Sequence, residues 1–270
     1  MRFSLSTNWC NRRIESGRAI AEKIAELGFD EMELGFFTTD LQAKEIKAMS
    51  ERIPVGSIHA FCPVPLSAPS GHPELYQLAD PDDAARGLAR AHVKRNIVFA
   101  ADMGADVVVL HAGRVACGGL LKSRALARRV RRGRKLVEVF RRELGEMTPI
   151  LEKYKVVLAL ENLPYLEGFP AEWELKDLVG EWVRPWFDTG HDFVRRSKGW
   201  ATELPQPFGL HINDSNGGDD HLPPGEGRVD FAALRMMAEA AHHLVFEPHA
   251  EVTDEALKAG LSHLKEVWST

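Results

Sequence analysis

Short apolar runs alternate along the whole chain with longer stretches whose apolar positions recur every three to four residues. Phe3–Asn8 reads as a first strand, and Ser16–Leu27 as an amphipathic helix closed by Gly28. Glu31–Gly35 predicts a second strand, followed by a helix near Thr39–Arg52. Val55–Ala60 predicts a third, leading into a Pro/Gly/Ser-rich loop from Pro63 to Pro73. Asp82–Met103 reads as a helix ending at Gly104, and Asp106–His111 as a fourth strand. A long basic helix is expected over Lys122–Tyr154, interrupted near Gly145–Pro149. Val156–Glu161, Pro185–Asp188, Gly209–Asn213 and Leu244–Glu247 complete eight predicted strands. Asp177–Val179 falls in a helical stretch between the fifth and sixth, and Asp254–Trp268 in a final helix.

Strand and helix patterns that alternate this regularly imply a parallel sheet, because parallel neighbours need crossover connections. Eight such units in 270 residues fit an α/β fold of one kind, a single (β/α)8 TIM barrel, better than an open doubly wound sheet. No G-x-G-x-x-G follows any strand, so a dinucleotide-binding fold has no support. Without internal repeat, low-complexity segment or linker, residues 1–270 read as one domain.

Barrel chemistry sits on the loops that follow the C-terminal ends of the strands. His59 ends the third predicted strand, His111 the fourth, Glu161 the fifth and Asp188 the sixth. His211 lies inside the seventh and Glu247 ends the eighth. His191 follows Asp188 by three residues, while Asp219 and His221 occupy the loop after the seventh strand. A lone histidine at a strand end is ordinarily a satisfied polar side chain. A carboxylate ending an apolar run such as VVLALE is different, because burying its charge is costly without a cation or a hydrogen-bond network. Glu161, Asp188, His211 and Glu247 together therefore point to a divalent metal. The mixed nitrogen and oxygen donors suit Zn, Mn or Co better than Ca.

Composition narrows the classes. With 44% hydrophobic and 27% charged residues, the chain is neither disordered nor a coiled coil. No apolar run approaches the ~18 residues of a spanning helix, and Met1–Cys10 is too short and polar for a secretory signal. The formal net charge of −5 advertises no nucleic-acid-binding field. Three cysteines (Cys10, Cys62 and Cys117) are too few for a disulfide framework, so a reducing, cytoplasmic setting is expected.

In these segments the chain resembles the xylose-isomerase-like TIM barrels, a superfamily of sugar and sugar-phosphate isomerases, epimerases and endonuclease IV. The likeness spans nearly the whole element order. It is most specific in SIHAF, VVVLHAGR, LALEN, FDTGH, LHINDS, DDHLPPGEGRVDF and LVFEPH. Likeness to the ketose epimerases implies one metal held by Glu161, Asp188, His211 and Glu247. Likeness to endonuclease IV implies three zinc ions on nine ligands: those four with His59, His111, His191, Asp219 and His221. The expected cofactor is thus one to three divalent ions.

Two mechanisms follow from that resemblance. In the isomerase or epimerase reading, Glu161 and Glu247 are both ligands and acid/base catalysts, moving a proton beside a sugar carbonyl through an enediolate. Arg114, Asn162, Asn213 and Glu33 would then contact the carbohydrate substrate. The ketose epimerases tend to carry an Arg where this chain has His221, so their sugar contacts do not transfer directly. In the phosphodiesterase reading, clustered zinc ions bridged by Glu161 would generate a hydroxide that attacks a phosphodiester of abasic DNA. That enzyme needs cationic grip on phosphate, and the one basic run, Arg124 to Lys135, reads as a solvated outer helix. Sugar chemistry therefore ranks first, DNA repair second, and a non-catalytic sugar- or metal-binding barrel third. Homo-oligomers are common in the family, and a homo-oligomer is a further expectation.

Smaller features have plainer readings. Cys10, Cys62 and Cys117 read as small apolar side chains, and Trp9, Phe36 and Phe37 as pocket wall or core. His249 reads as a rim residue, His242 and His243 as structural groups at the opposite barrel end, and Pro223–Gly227 as a rigid turn shaping the loop of Asp219 and His221.

Overall fold

The computed structural model describes residues 1–115, 135–195 and 206–269. Its centre is a closed barrel of eight parallel strands: β1 (Ser4–Ser6), β2 (Glu31–Leu34), β3 (Val55–His59), β4 (Val107–Leu110), β6 (Val157–Glu161), β8 (Val183–Asp188), β9 (Gly209–His211) and β10 (His243–Phe246). Two further strands, β5 (Gly113–Arg114) and β7 (Gly168–Phe169), pair antiparallel as a small ribbon over the loops after β4 and β6. The eight predicted barrel strands are all present, in the order 1-10-9-8-6-4-3-2 around the barrel. That is the (β/α)8 barrel that the alternating pattern implies.

Successive residues of a strand point to opposite faces, and this parity builds both the core and the site. Val107, Val109, Val157, Ala159, Trp186, Phe208 and Val245 form an apolar cluster separate from the large one, which contains Val108, Leu110, Leu158, Leu160, Leu210, Leu244 and Phe246. The smaller cluster fills the barrel, and the larger joins barrel to helices. Following the inward parity upward gives His111 after Val109, Glu161 after Ala159, Asp188 after Trp186, His211 after Gly209 and Glu247 after Val245. The polar layer at the mouth is thus the continuation of the barrel's own packing.

The helices are anchored by local chemistry. Ser16 caps Gly17–Glu26, and Thr39 and Gln42 form a reciprocal capping box on Asp40–Lys47. Asp82 caps Asp83–Met103, which Gly104 ends in the left-handed conformation. Thr253 caps Asp254–Val267.

Three predicted elements differ. The helix expected to break near Gly145–Pro149 runs unbroken over Leu136–Tyr154. Buried Leu136, Phe140, Leu144, Met147 and Leu151 form one stripe through the proline, and that burial outweighs a proline cost of ~3 kcal/mol. The helical stretch placed at Asp177–Val179 lies earlier, at Glu172–Leu175, where Glu174 accepts from the Ala171 amide. Leu178 and Val179 only close a turn back onto Leu175. The first strand stops at Ser6, and Thr7–Trp9 is a 3-10 turn. Residues 122–134 of the long basic helix, with Arg124 to Arg134, and Cys117 lie outside the described residues. Cys10 and Cys62 are buried free thiols; burial pushes Cys10 up to about 12 and raises Cys62 as well. Both act as small apolar groups, as read. At the opposite barrel end, His243 Nε2 meets Asp106 Oδ1 at 2.8 Å, matching its structural reading. Among the described residues, no helix is long and apolar enough to cross a membrane.

Candidate metal centre

Glu161, at the end of β6, is fully buried at the middle of the mouth. His111 Nε2 lies 3.1 Å and His59 Nε2 3.3 Å from its Oε2; His211 Nδ1 lies 3.1 Å and His191 Nδ1 3.4 Å from its Oε1. His211 Nδ1 is also 3.3 Å from Glu247 Oε2 and 3.9 Å from Asp188 Oδ2. The parallel register sets Asp188 directly opposite His211.

Most of these imidazoles are anchored on one ring nitrogen by a group that can only accept. His59 Nδ1 faces the Ala60 carbonyl at 2.9 Å, and His191 Nδ1 the Asn162 carbonyl at 2.8 Å. His211 Nε2 faces Glu33 Oε2 at 3.3 Å, and His221 Nδ1 faces Asp220 Oδ1 at 2.9 Å. An imidazole whose outer nitrogen carries the proton presents a lone pair from the other, the usual preparation of a metal-binding histidine. For His59 and His211 the inner nitrogen meets a buried carboxylate oxygen, a contact that needs either a proton or a metal cation between the two.

Proton affinities show the same demand for positive charge. Burial opposes charge on His59, but the Glu161 hydrogen bond and the Glu247, Glu161 and Glu33 charges outweigh it and push the group up to about 9. The same balance of burial against carboxylates holds His211 and His221 well above the ordinary range. Burial would raise Glu161 and Glu247, yet His211 above all, with its neighbouring histidines, holds both below the usual carboxylate range. Asp188 is raised, chiefly by burial. His111 is lowered by burial against the pull of Glu161, and its buried Nδ1 has no hydrogen-bond partner. Anionic carboxylates that draw positive charge onto the imidazoles around them fit divalent metal ions, which would take the place of those protons.

Donor atoms of His59, Glu161, His211 and Glu247 all lie within 4.8 Å of one another, as do those of Asp188, His191 and His221. The four expected core ligands thus divide between adjoining groups, with Asp188 in the second. A third group at the rim joins Asp220, His221 and His249. Asp219 belongs to none of the three groups but touches the third: its Oδ1 accepts from the His221 amide and meets His249 Nε2, each at 3.0 Å.

The residues expected to touch substrate mostly hydrogen-bond to the candidate ligands or their backbone. Asn162 spends both ends of its amide on the Asp188 backbone, at 2.6 and 2.9 Å. Asn213 donates to Asp188 Oδ2 at 2.7 Å and accepts from the Glu247 amide. Glu33 lies beneath His211 and accepts from Ser57 Oγ at 2.8 Å. Arg114 binds Glu74 Oε2 at 2.5 Å, stacks over Tyr165 and clamps the loop after β3. Trp9 is core, donating to the Val252 carbonyl, whereas half-buried Phe36 packs edge-on against His59.

Sequence reasoning missed Asn8, Asp220 and the task of Asp214. Asn8 donates to Glu247 Oε1 at 2.9 Å. Asp214 accepts from the amides of Ser215, Gly225, Gly227 and Val229, fastening the loop that carries His221. The inward parity of the strands reaches Glu33 within β2 and, followed one residue past the end of β10, Glu247.

Gly190 admits the same loop. A Cβ there would sit 1.9 Å from the Asp220 carbonyl oxygen, so any side chain pushes the loop off the mouth. Gly190→Ala is expected to weaken metal binding by about 10- to 100-fold, as disturbed outer-shell support does elsewhere. Chelator competition on the folded variant measures it, and unchanged affinity would show that the close approach is dispensable.

The profile of the xylose isomerase-like TIM barrels matches residues 21–267. The chain belongs to this family. Solved structures of the family's fold superpose over nearly the full length. A D-tagatose 3-epimerase-like protein shares 23% identity over 98% of this chain and 99% of its own, with a TM-score of 0.72. The 3-keto-D-glucoside 4-epimerase YcjR from E. coli shares 17% over 98% and 99%, with a TM-score of 0.74. The IOLI protein with a bound zinc atom shares 16% over 100% and 98%, with a TM-score of 0.72. No curated protein matches this family member in sequence.

Proposed function

We propose that this xylose isomerase-like barrel is a divalent-metal-dependent isomerase or epimerase acting on a ketose or ketose phosphate. The observation that carries the reading is the pair Glu161 and Glu247. These buried carboxylates stand at the end of β6 and just past β10, with β8 and β9 between them in the barrel, and converge on the same His211 nitrogen at 3.1 and 3.3 Å. Moving a proton off and back onto a carbon beside a carbonyl needs two such groups at one centre. A divalent ion held by Glu161, His211, Glu247 and a neighbouring His59 or Asp188 would supply Lewis-acid polarisation of the substrate carbonyl. One carboxylate would take the proton from carbon and keep it, while the other, having picked up a proton from solvent, would deliver that proton to the opposite face or to the adjacent carbon. Glu33 holds His211 in orientation, while Asn162 and Asn213 hold Asp188. Phe36 offers an apolar wall against the carbon skeleton. The epimerases with this fold act on related sugars, which supports the substrate class.

A phosphodiesterase is the second reading, favoured by one observation: His59 and His111 both meet Glu161 Oε2, giving more donors than one ion uses. Metal analysis combined with turnover separates the two. The isomerase reading expects one tightly held ion and conversion within a panel of ketoses and ketose phosphates. Three zinc ions per chain with cleavage of an abasic-site duplex would replace it with the second reading.

A further inference from the structure

Two barrel strands, β1 and β2, contribute no ligand by the sequence reading, yet both reach the centre. Glu33 of β2 orients His211, and Asn8, just past β1, reaches Glu247. We infer that Asn8 is a positioning residue that pins one oxygen of Glu247, so that this carboxylate presents a single oxygen to the metal group. The inference rests on the metal-dependent reading above.

The carboxylate is divided between two sides. Oε1 receives the Asn8 Nδ2 hydrogen bond at 2.9 Å, whereas Oε2 lies 3.3 Å from His211 Nδ1 and 3.8 Å from His221 Nε2. The Asn8 amide cannot swap ends without loss, because its Oδ1 accepts from the Phe37 amide at 3.4 Å. Its slot is closely fitted: a Cβ at Gly35 would stand 2.0 Å from Asn8 Oδ1. The turn that carries Asn8 is itself tied down. Thr7 Oγ1 accepts from the Gly35 amide at 2.8 Å and meets Thr38 Oγ1 at 2.9 Å, while Trp9 Nε1 donates to the Val252 carbonyl. A rigid donor therefore meets a buried carboxylate that would otherwise rotate. A Glu247 free to rotate would offer both oxygens to the ion and fill a position that substrate needs; a pinned one leaves it open. The free lone pairs of Oε1 stay available to move a proton.

Three variants test this: Asn8→Ala removes the donor, Asn8→Asp keeps the shape but not the donor, and Gly35→Ala displaces the amide. Affinity for Co or Zn is read by chelator competition without substrate, and kcat and KM on the best ketose. Expected are a change of about tenfold or more in metal affinity for Asn8→Ala and Asn8→Asp, and a kcat loss on the order of 10- to 100-fold with KM within about threefold. Wild-type metal affinity in folded Asn8→Asp would overturn the inference, since only packing would then matter. Should Asn8→Ala fail to fold, Asn8→Asp and Gly35→Ala give the same decision. If wild type turns over no ketose while the variants still shift metal affinity, the sugar reading fails and the role of Asn8 stands.

Discussion

Glu161→Gln is expected to abolish tight metal binding and lower turnover by on the order of 10³-fold or more, with the barrel intact. The size follows from position. Glu161 is the one carboxylate within 3.4 Å of ring nitrogens from His59, His111, His191 and His211 among the described residues. Glutamine keeps the shape but removes the charge that holds these groups around a cation. It also removes a proton acceptor from the reaction, a loss commonly worth 10²- to 10⁴-fold by itself. Metal content after gel filtration, ketose turnover and far-UV circular dichroism check the result together. A variant that keeps wild-type metal and at least half of wild-type turnover would remove Glu161 from both roles.

Asp214→Ala is expected to cost about 3–5 kcal/mol of stability, the range for breaking a buried charged network. Its carboxylate is 2% exposed and accepts four backbone amides at 2.8–2.9 Å. Alanine leaves those donors without an acceptor, each a loss of about 1–3 kcal/mol where water cannot reach. Water entering the opened loop limits the sum. The Asp214 backbone also pairs with Leu222 by two hydrogen bonds, so a shift of this segment is passed on to His221. Urea unfolding measures the stability. Metal content measures the second consequence, loss of the Asp188, His191 and His221 group. A change below about 0.5 kcal/mol, as at an ordinary surface position, would show that Pro223–Gly227 holds its shape unaided.

The barrel and the strand-end positions of most candidate ligands were legible because one period governs both. A parallel strand buried on both faces writes its inward positions as every second residue, so VVLALE carries its ligand in register with its core. His59, His111, Asp188 and Glu247 follow the same rule. What the sequence hides are relations made by closure. Asn8 and Glu247 lie 239 residues apart, and only the β1–β10 pairing brings them together. Asn162 and Asn213 adjoin candidate ligands in sequence, but the hydrogen bonds their amides make to neighbouring strands appear only once the barrel closes. Where Asp219 and Asp220 each point depends on how the loop turns around Asp214, which no spacing records. Pro149 misled for the opposite reason: a local penalty was outweighed by a long buried stripe.

The central claim is that Glu161 and Glu247 move a carbon-bound proton at a metal-bearing mouth. Incorporation of solvent deuterium tests it most directly. Protein loaded with Mn, Co or Zn is incubated in D2O with ketoses and ketose phosphates, and the recovered sugars are analysed by NMR. Deuterium at a carbon adjacent to the carbonyl is expected, lost in folded Glu161→Gln and Glu247→Gln and after metal removal. Recovery of every sugar without deuterium from metal-loaded wild type, or full incorporation by both variants, would contradict the account.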